Sequence, residues 1–259
     1  MDELRWDTIS SDYYSEVLSP LKDCKHNPLF DDLKILKGKE NELSIIELGC
    51  GVGELVPFLE DNFKSVTAID FSQEMITSAI DRNKARNDES STTFLVKDMA
   101  NLSEFEGKFD VAVAVNSMLT TDIMKLHLMI KEVFKILKPG GKLFVIIPSM
   151  EVYIYQNMLF VDQKLNKGQM QDKVLEQASK TLVYSSYDAF QGLIDFGHED
   201  KQKAFYRFEI VYRFGKAGFS NFNIEMVPYR WTKWKQAGQK YFPKEEPPWD
   251  WYFTCDKPV

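Results

Sequence analysis

The chain has 259 residues, of which 44% are hydrophobic and 27% are charged. These proportions are those of an ordinary folded protein, and they exclude a disordered or collagen-like chain. The length fits one large domain, or one domain with an insertion. No apolar run approaches the roughly 20 residues of a membrane-spanning helix, and the start of the chain at 1–7 does not resemble a secretory signal. We therefore expect a cytoplasmic protein without a membrane span.

The net charge is −7, from 32 basic and 39 acidic residues. Nucleic-acid binders are more often basic, because neutralising phosphates supplies much of their affinity, so this balance disfavours nucleic acid as a partner. The cysteines and histidines are few and scattered, at Cys24, Cys50, Cys255, His26, His127 and His198. Their spacing matches neither a disulfide framework nor a metal motif, so we predict no metal site.

In chain order, residues 1–40 are polar with a few aromatic side chains, and residues 41–148 alternate short apolar runs with amphipathic stretches. The apolar runs predict buried strands, at Leu43–Leu48, Val66–Ile69, Phe94–Val96, Val111–Val115 and Leu143–Ile147. Ser72 is a good N-cap for the helix after the second strand, and the apolar stripe from Leu126 to Leu137 predicts another helix. Strands that alternate with helices indicate a parallel sheet, in which ligands bind at the carboxyl ends of the strands.

Residues 149–205 read as mostly helical and polar, and residues 206–259 return to strand-like runs. The aromatic-rich stretch Met150–Phe160 fits equally a wall of a substrate pocket and a helix that buries its apolar face. His198 lies in this variable region, where a role as general base is one alternative.

A glycine loop follows the first predicted strand, in the sequence Glu47-Leu-Gly-Cys-Gly-Val-Gly53. Glycines let the backbone turn sharply and let a ligand approach the main chain. The dinucleotide fingerprint is G-x-G-x-x-G, but here Glu54 stands where its last glycine is needed. A carboxylate there would face a pyrophosphate, which counts against NAD and FAD, and no Gly-Lys-Ser/Thr follows as in a P-loop.

Two acids follow the next two predicted strands. Asp70 can accept two hydrogen bonds from a ribose diol, and it would repel the 2′-phosphate of NADP. Asp98 can accept a hydrogen bond from an exocyclic amine such as that of adenine. An acidic, glycine-lined pocket therefore suits a nucleoside that carries positive charge.

These motifs together resemble the class I S-adenosylmethionine-dependent methyltransferases. The glycine loop, Asp70, Asp98 and the Leu137–Gly141 turn occur in that family's order, and the resemblance covers residues 40–148 strongly and the rest weakly. It implies an α/β, Rossmann-like, doubly wound fold with a mostly parallel seven-stranded sheet, helices on both faces and a helical cover. We expect one domain over 1–259, divided into a helical cover (1–40), a cofactor-binding core (41–148), a helical insertion near the substrate (149–205) and C-terminal strands (206–259).

The resemblance also implies which residues bind the methionine part of S-adenosylmethionine and of its product, S-adenosylhomocysteine. Gly49 and Gly51 would pass under it, with Gly53 in the same loop, and Glu47 would help to hold its amino group through water. Asn116, after the fourth strand, would face the methionine or the transferred methyl group.

For the nucleoside part, the resemblance implies that Asp70 binds the ribose hydroxyls and that Phe71 and Met75 flank the adenine. Asp98 would accept from the adenine amine, and the Met99 N–H would reach the ring nitrogen beside it.

Near the N-terminus, the stretch Trp6–Tyr13 resembles the helix that covers the cofactor in many small-molecule members of the family. Tyr13 would then approach the methionine carboxylate.

No catalytic residue is predicted. The cofactor already activates the methyl group, so the protein has to supply proximity, alignment and a dry site, and a general base is needed only for some acceptors. Cys50 is not expected to act as a nucleophile, and His127 is expected to be a surface residue at the edge of its helix.

The acceptor is expected to be a small molecule. Methyltransferases of exocyclic amines in nucleic acids carry an Asn/Asp-Pro-Pro-aromatic box after the fourth strand, whereas this chain has Val115–Leu119 without proline. One alternative is a protein or RNA methyltransferase that uses the basic aromatic segment 230–244. The others are a cofactor-binding module without catalysis, and a synthase that uses the same fold to make polyamines.

Overall fold

A computed structural model describes residues 19–36, 43–86, 90, 92–180, 186–195, 201–236 and 242–259. These residues form one seven-stranded sheet, one small three-stranded sheet and eight helices. The strands in chain order are β1 (Ser44–Leu48), β2 (Ser65–Asp70), β3 (Thr93–Val96), β4 (Phe109–Val115), β5 (Leu137–Pro148), β6 (Ser186–Asp188), β7 (Leu193–Asp195), β8 (Lys201–Lys203), β9 (Ser220–Pro228) and β10 (Trp249–Asp256). The helices are α1 (Pro28–Leu36), α2 (Val56–Glu60), α3 (Gln73–Arg86), α4 (Ile123–Ile136), α5 (Met150–Leu165), α6 (Gln171–Lys180), α7 (Arg207–Ala217) and α8 (Trp231–Gln236).

The strand order of the large sheet is β3-β2-β1-β4-β5-β10-β9. The first five strands are parallel, and β10 runs antiparallel to both β5 and β9. The predicted doubly wound, mostly parallel α/β fold is therefore confirmed. Because the chain order reverses between β1 and β4, the carboxyl ends of these two strands flank the switch point at which such sheets bind ligands.

The central strands are buried on both faces, which explains their continuous apolar sequences. On one face, Ile46 of β1 belongs to a core cluster that α4 and α7 cover. On the other face, Ile45 belongs to a cluster that α1, α5 and α8 cover. Among the described helices, none is long and apolar enough to span a membrane.

Helix α4 forms where the apolar stripe predicts it. Asp122 caps its start, accepting hydrogen bonds from the backbone N–H groups of Met124 and Lys125, and Leu126 and Ile130 are buried against the sheet. The cap fixes the first turn of the helix beside the carboxyl end of β4, and so it sets the position of Lys125.

In the described part of the region 149–205, two helices come first and three short strands that the sequence did not indicate follow them. After α5 and α6 the chain forms the antiparallel sheet β6-β7-β8. Gly192, with a φ of 65°, lies before β7, and the Asp188 carboxylate accepts a hydrogen bond from the Gln191 N–H in the same turn. The Lys203 N–H at the end of β8 donates to the Leu119 carbonyl after β4, 3.2 Å away. This contact joins the small sheet to the edge where ligands are expected.

Candidate active site

A cavity of about 590 Å³ opens at the carboxyl ends of the parallel strands. Most residues predicted to bind the cofactor line it, namely Gly49, Gly51, Asp70, Phe71, Met75, Asp98, Met99 and Asn116. Glu47 in β1 and Gly53 in the glycine loop are not among the residues that line it, whereas Tyr13 lies outside the described residues. The topology therefore brings together residues that are up to 67 positions apart in the sequence, from Gly49 to Asn116.

The glycine loop is held tightly at the end of β1. The N–H groups of Gly49 and Cys50 both donate to the Ile69 carbonyl, at 2.7 and 2.9 Å. Gly49 has a φ of 72°, and a Cβ atom at this position would lie 2.3 Å from the Cβ of Ser117. A side chain at Gly49 would therefore require the cavity wall to move. Gly53 instead faces α3, where an added Cβ would lie 3.2 Å from the Cβ of Ala79.

Asp70 joins the glycine loop to β2. Its side chain is 7% exposed, and its two carboxylate oxygens accept hydrogen bonds from the N–H groups of Gly51 and Ser72, at 2.9 and 3.0 Å. Each oxygen of a carboxylate can accept more than one hydrogen bond, and Asp70 lines the cavity where a diol would bind.

Glu47 is a buried acid in β1, with a side chain 4% exposed. Its Oε2 atom is buried without a hydrogen-bond partner among the described residues. Burial first, and then the nearby carboxylates of Asp70 and Glu54, raise the pKa of Glu47 to about 8. An unpartnered carboxyl oxygen in this position fits a ligand that brings a cationic or hydrogen-bonding group to the loop.

Asp98 shares the cavity wall with a lysine that the sequence analysis missed. Its Oδ1 accepts from the Ala100 N–H at 2.9 Å, and its Oδ2 accepts from the Lys125 Nζ at 2.7 Å. Both side chains of the ion pair are 44% exposed, so the pair contributes at most about 1 kcal/mol and a ligand can displace it. The position of Lys125, in the first turn of the helix after β4, is the sequence feature that could have predicted its place at the cavity.

Asn116 follows β4 with a φ of 48°. Its Nδ2 donates to the Oδ2 of Asp250 at 3.0 Å, and the hydroxyl of Tyr229 donates to the same oxygen at 2.6 Å. The sequence analysis missed Asp250 and Tyr229, because they lie more than 110 positions from Asn116. Only the antiparallel pairing of β10 with β5 and β9 brings them to this edge.

Neither Cys50 nor His127 has the surroundings of a catalytic group. Burial, then Glu47 and Asp70, raise the pKa of Cys50 well above its ordinary value, which disfavours the reactive thiolate. His127 is exposed, and its Nε2 lies 2.6 Å from a guanidinium nitrogen of Arg213 on the outer surface. His198 lies outside the described residues. In the part of the chain that the structure describes, no cluster of three or more His, Cys, Asp or Glu residues could hold a metal ion.

The basic aromatic segment 230–244 buries its described aromatic rings. Trp231, Trp234 and Phe242 are at most 7% exposed and pack in the core beside α1 and α5. The Trp231 indole N–H donates to the Glu245 carbonyl at 2.9 Å. Rings packed in this way are not available to stack on nucleic-acid bases, which disfavours this segment as an RNA-binding surface.

Comparison with known proteins bears on the same residues that form the cavity. Residues 45–141 match the family model of the methyltransferase domain. This core is a class I S-adenosylmethionine-dependent methyltransferase domain. The family assignment made from the glycine loop and the strand-end acids is thereby confirmed, and S-adenosylmethionine is the cofactor that this family uses.

Several curated methyltransferases match part of the chain. The thiol S-methyltransferase TMT1B of Rattus norvegicus is 28% identical over 149 residues, which are 54% of this chain and 59% of that protein. The putative methyltransferase YqeM of Bacillus subtilis is 32% identical over 46% of this chain and 49% of its own length. A ubiquinone biosynthesis O-methyltransferase of Coxiella burnetii is 30% identical over the same shares. The chain thus spans about half to three-fifths of the length of these relatives.

Solved structures share the fold over nearly the whole chain. A methyltransferase from Methanosarcina mazei has a TM-score of 0.59 at 17% identity, covering 90% of this chain and 99% of its own. The [4+2]-cyclase SpnF has a TM-score of 0.62 at 16% identity, covering 99% and 96%. At these identities the likeness shows the fold alone, and a cyclase among these proteins illustrates that one fold hosts several chemistries.

Proposed function

We propose that this protein is an enzyme that transfers a methyl group from S-adenosylmethionine to a small-molecule acceptor. The observation that carries the proposal is the cavity at the carboxyl ends of the strands, where the glycine loop and two acids line one wall. The bound cofactor supplies an activated methyl group, so the chain's own residues have to bind it, orient the acceptor and exclude water.

At the nucleoside end of the cavity, Asp70 accepts hydrogen bonds from the ribose diol and Asp98 accepts from the adenine amine. Phe71 and Met75 flank the ring, and the Met99 N–H reaches the adjacent ring nitrogen. The ion pair of Asp98 leaves lone pairs free on the carboxylate, and its high exposure lets Lys125 move aside.

At the methionine end, the backbone of Gly49 and Gly51 lies against the ligand, because no side chain projects from the loop there. Gly53 sets the distance between the loop and α3. The amino group is held through water, from which the unpartnered oxygen of Glu47 accepts a hydrogen bond. Asn116 faces the methyl group.

A small acceptor is supported by the rest of the cavity wall, which adds apolar side chains, including Val115, Leu119 and Met129, beside an equal number of polar ones. The relatives named above include a thiol S-methyltransferase and an O-methyltransferase. We place the protein in the cytoplasm as part of the same proposal.

Calorimetric titration with S-adenosylmethionine, S-adenosylhomocysteine and NAD tests the cofactor, before and after Asp70→Ala. Loss of a charged hydrogen-bond partner should weaken binding by about 1–3 kcal/mol. Asp61→Ala is the control, because the Asp61 side chain is 70% exposed and lies outside the cavity lining. Unchanged affinity in Asp70→Ala, or binding of NAD instead, would contradict the proposed site.

Release of S-adenosylhomocysteine with a panel of small thiols, phenols and amines, and with RNA, tests the reaction. Turnover with a small molecule supports the proposal. Cofactor binding with turnover only on RNA would favour the RNA methyltransferase instead. Cofactor binding with no turnover on any acceptor would favour the cofactor-binding module without catalysis.

A further inference from the structure

Asp250 is a buried acid that contacts Asn116 of the cavity wall. It belongs to β10, which β4 and β5 separate from β1 in the large sheet. It lies opposite Pro148 at the carboxyl end of β5, and its side chain is 7% exposed. Both hydrogen bonds to it, from Tyr229 and Asn116, reach the same oxygen, Oδ2. In the described part of the chain no ion pair reaches this carboxylate. Neutral donors alone therefore stabilise a buried carboxylate, which is an arrangement that costs stability.

Asp250 fixes the orientation of the Asn116 amide. A carboxylate accepts hydrogen bonds, so it draws the NH₂ group of Asn116 toward itself and turns the Oδ1 atom away. This Oδ1 is buried and has no hydrogen-bond partner among the described residues, while Asn116 lines the cavity. The cluster thus fixes a hydrogen-bond acceptor on a residue of the cavity wall, and no described residue uses this acceptor.

Titratable and charged groups approach the cluster from three neighbouring segments: Asp23 and Cys24, Tyr153, and Tyr229 and Arg230. Burial, and then the charge of Asp250, raise the pKa values of Cys24 and Tyr229, so both groups stay neutral at physiological pH. Burial raises the pKa of Asp250 to about 6, against the two hydrogen bonds that lower it. Of the groups in direct contact in the cluster, Asp250 is the one whose charge changes near neutral pH.

We propose that Asp250 and Tyr229 are positioning residues that hold the Asn116 Oδ1 toward the methyl acceptor and thereby select a hydroxyl or thiol acceptor. The proposal rests on the proposed function. A hydroxyl or thiol can donate its hydrogen to Oδ1 and keep lone pairs for attack on the methyl group. An ammonium group that donates in the same way has no lone pair, and a tertiary amine has no hydrogen to donate at neutral charge. A primary or secondary aliphatic amine meets both conditions only in its neutral form, which is a minor species near neutral pH.

The orientation of the Asn116 side-chain amide depends on the ionisation of Asp250. Above a pH of about 6 the carboxylate holds the Asn116 NH₂ group, and Oδ1 is available to the acceptor. Below that pH the protonated acid becomes a donor, and the amide can turn to accept from it. Acceptor binding should therefore be present above pH 6 and lost as the pH falls through this value.

The side-chain amide resonance of Asn116, followed by NMR from pH 5 to pH 8 with S-adenosylhomocysteine bound, tests the positioning directly. We expect a midpoint near pH 6 in the natural protein and no titration in Asp250→Asn. In Tyr229→Phe the midpoint should move upward, because a hydrogen bond that favours the carboxylate is lost. The proposal would be overturned if the Asn116 side-chain amide resonance did not change with pH in the natural protein, or if it titrated equally in Asp250→Asn.

The chain offers matched controls. Asp256→Asn makes the same substitution on the same strand, where the Asp256 carboxylate pairs with Lys142 at 2.7 Å. Tyr252→Phe removes a hydroxyl that donates to Asp32 at 2.6 Å, the same distance as in the cluster. Neither control should move the Asn116 resonance. If Asp250→Asn does not fold, Tyr229→Phe with its Tyr252→Phe control carries the test alone.

Kinetics with 2-mercaptoethanol, catechol and trimethylamine test the selectivity. For the thiol or hydroxyl probe that is methylated, Asp250→Asn should raise the KM of the acceptor at least tenfold and leave the affinity for S-adenosylhomocysteine unchanged. Preferred transfer to trimethylamine would overturn the selectivity. If no probe is methylated, the NMR titration alone tests the positioning of Asn116. If the natural protein does not bind S-adenosylhomocysteine, the proposed function itself is contradicted.

Discussion

The two halves of the cavity present different kinds of groups to a ligand. At the end of β1 and β2, backbone groups dominate: glycines with positive φ, and an aspartate that accepts from two main-chain N–H groups. Beside β4, β5 and β10, side chains dominate, since Asn116, Asp250 and Tyr229 are joined only through their side-chain atoms. Backbone geometry can be encoded by a short local motif, whereas side-chain clusters depend on strands that are distant in sequence. We therefore expect the first half to be shared by proteins that bind the same cofactor, and the second half to differ with the acceptor.

The largest expected effect on ligand affinity comes from a substitution in the glycine loop, in the half of the cavity where backbone groups dominate. Gly49→Ala places a Cβ 2.3 Å from that of Ser117 at a φ of 72°, so affinity for S-adenosylhomocysteine should fall more than 100-fold by calorimetry, about 2.7 kcal/mol. Gly107→Ala is the control, since Gly107 has a φ of 63° but no atom within 4 Å of an added Cβ. It should cost about 1 kcal/mol of stability through backbone strain and leave binding unchanged. Equal effects of the two variants on binding would mean that the loop does not contact the ligand.

Glu47 gives an effect on stability rather than on binding, and this effect appears as a pH dependence. Its pKa is raised in the folded state from 4.5 to about 8, so its contribution to stability is full below pH 4.5 and is lost as the pH rises through 8. The slope is at most about 1.4 kcal/mol per pH unit within this window. Glu47→Gln should remove this slope, so thermal unfolding of the ligand-free protein should change less between pH 5 and pH 8 than in the natural protein.

Glu132→Gln is the contrasting control for that measurement. Burial opposes the ionisation of Glu132, but the hydrogen bonds from Lys135 and the Leu102 N–H outweigh it and hold its pKa below the ordinary value. Its contribution to stability is therefore present above the unfolded pKa of 4.5 and is lost as the pH falls through the lowered value. The variant should lose stability at neutral pH. A Glu47→Gln variant with the natural pH slope would show that Glu47 does not titrate in this window.

The smallest expected effect on ligand affinity comes from removing the ion pair of Asp98, at the end of the cavity proposed to bind adenine. Lys125→Met frees the Asp98 carboxylate from an exposed ion pair, which should tighten binding of S-adenosylhomocysteine by up to about fivefold, or 1 kcal/mol. Lys97→Met is the control, because Lys97 also lines the cavity but pairs with Glu104 at 2.9 Å. Calorimetry at low and high salt should show the gain shrinking as salt screens the pair. Weaker binding in Lys125→Met would mean that the lysine itself contacts the ligand.

The sequence predicted the parallel core well, because its signals are local. Buried strands have continuous apolar runs, and the glycines and acids follow those strands directly, so position along the chain fixes position at the sheet edge. The prediction was weaker for residues 149–205, where short strands of three residues leave no readable periodicity. Lys125 was missed because a lysine in the first turn of an amphipathic helix resembles any solvated residue until the cavity beside it is known.

The sequence by itself determined the fold and the family, since motifs that contact one ligand through backbone and strand-end groups must keep a fixed spacing. Only the tertiary structure decided which side chains surround Asn116. Asp250 and Tyr229 become neighbours of Asn116 because β10 inserts antiparallel between β5 and β9. Burial then gives Asp250 a raised pKa. Neither the long-range pairing nor the desolvation that follows from it leaves a local pattern in the chain.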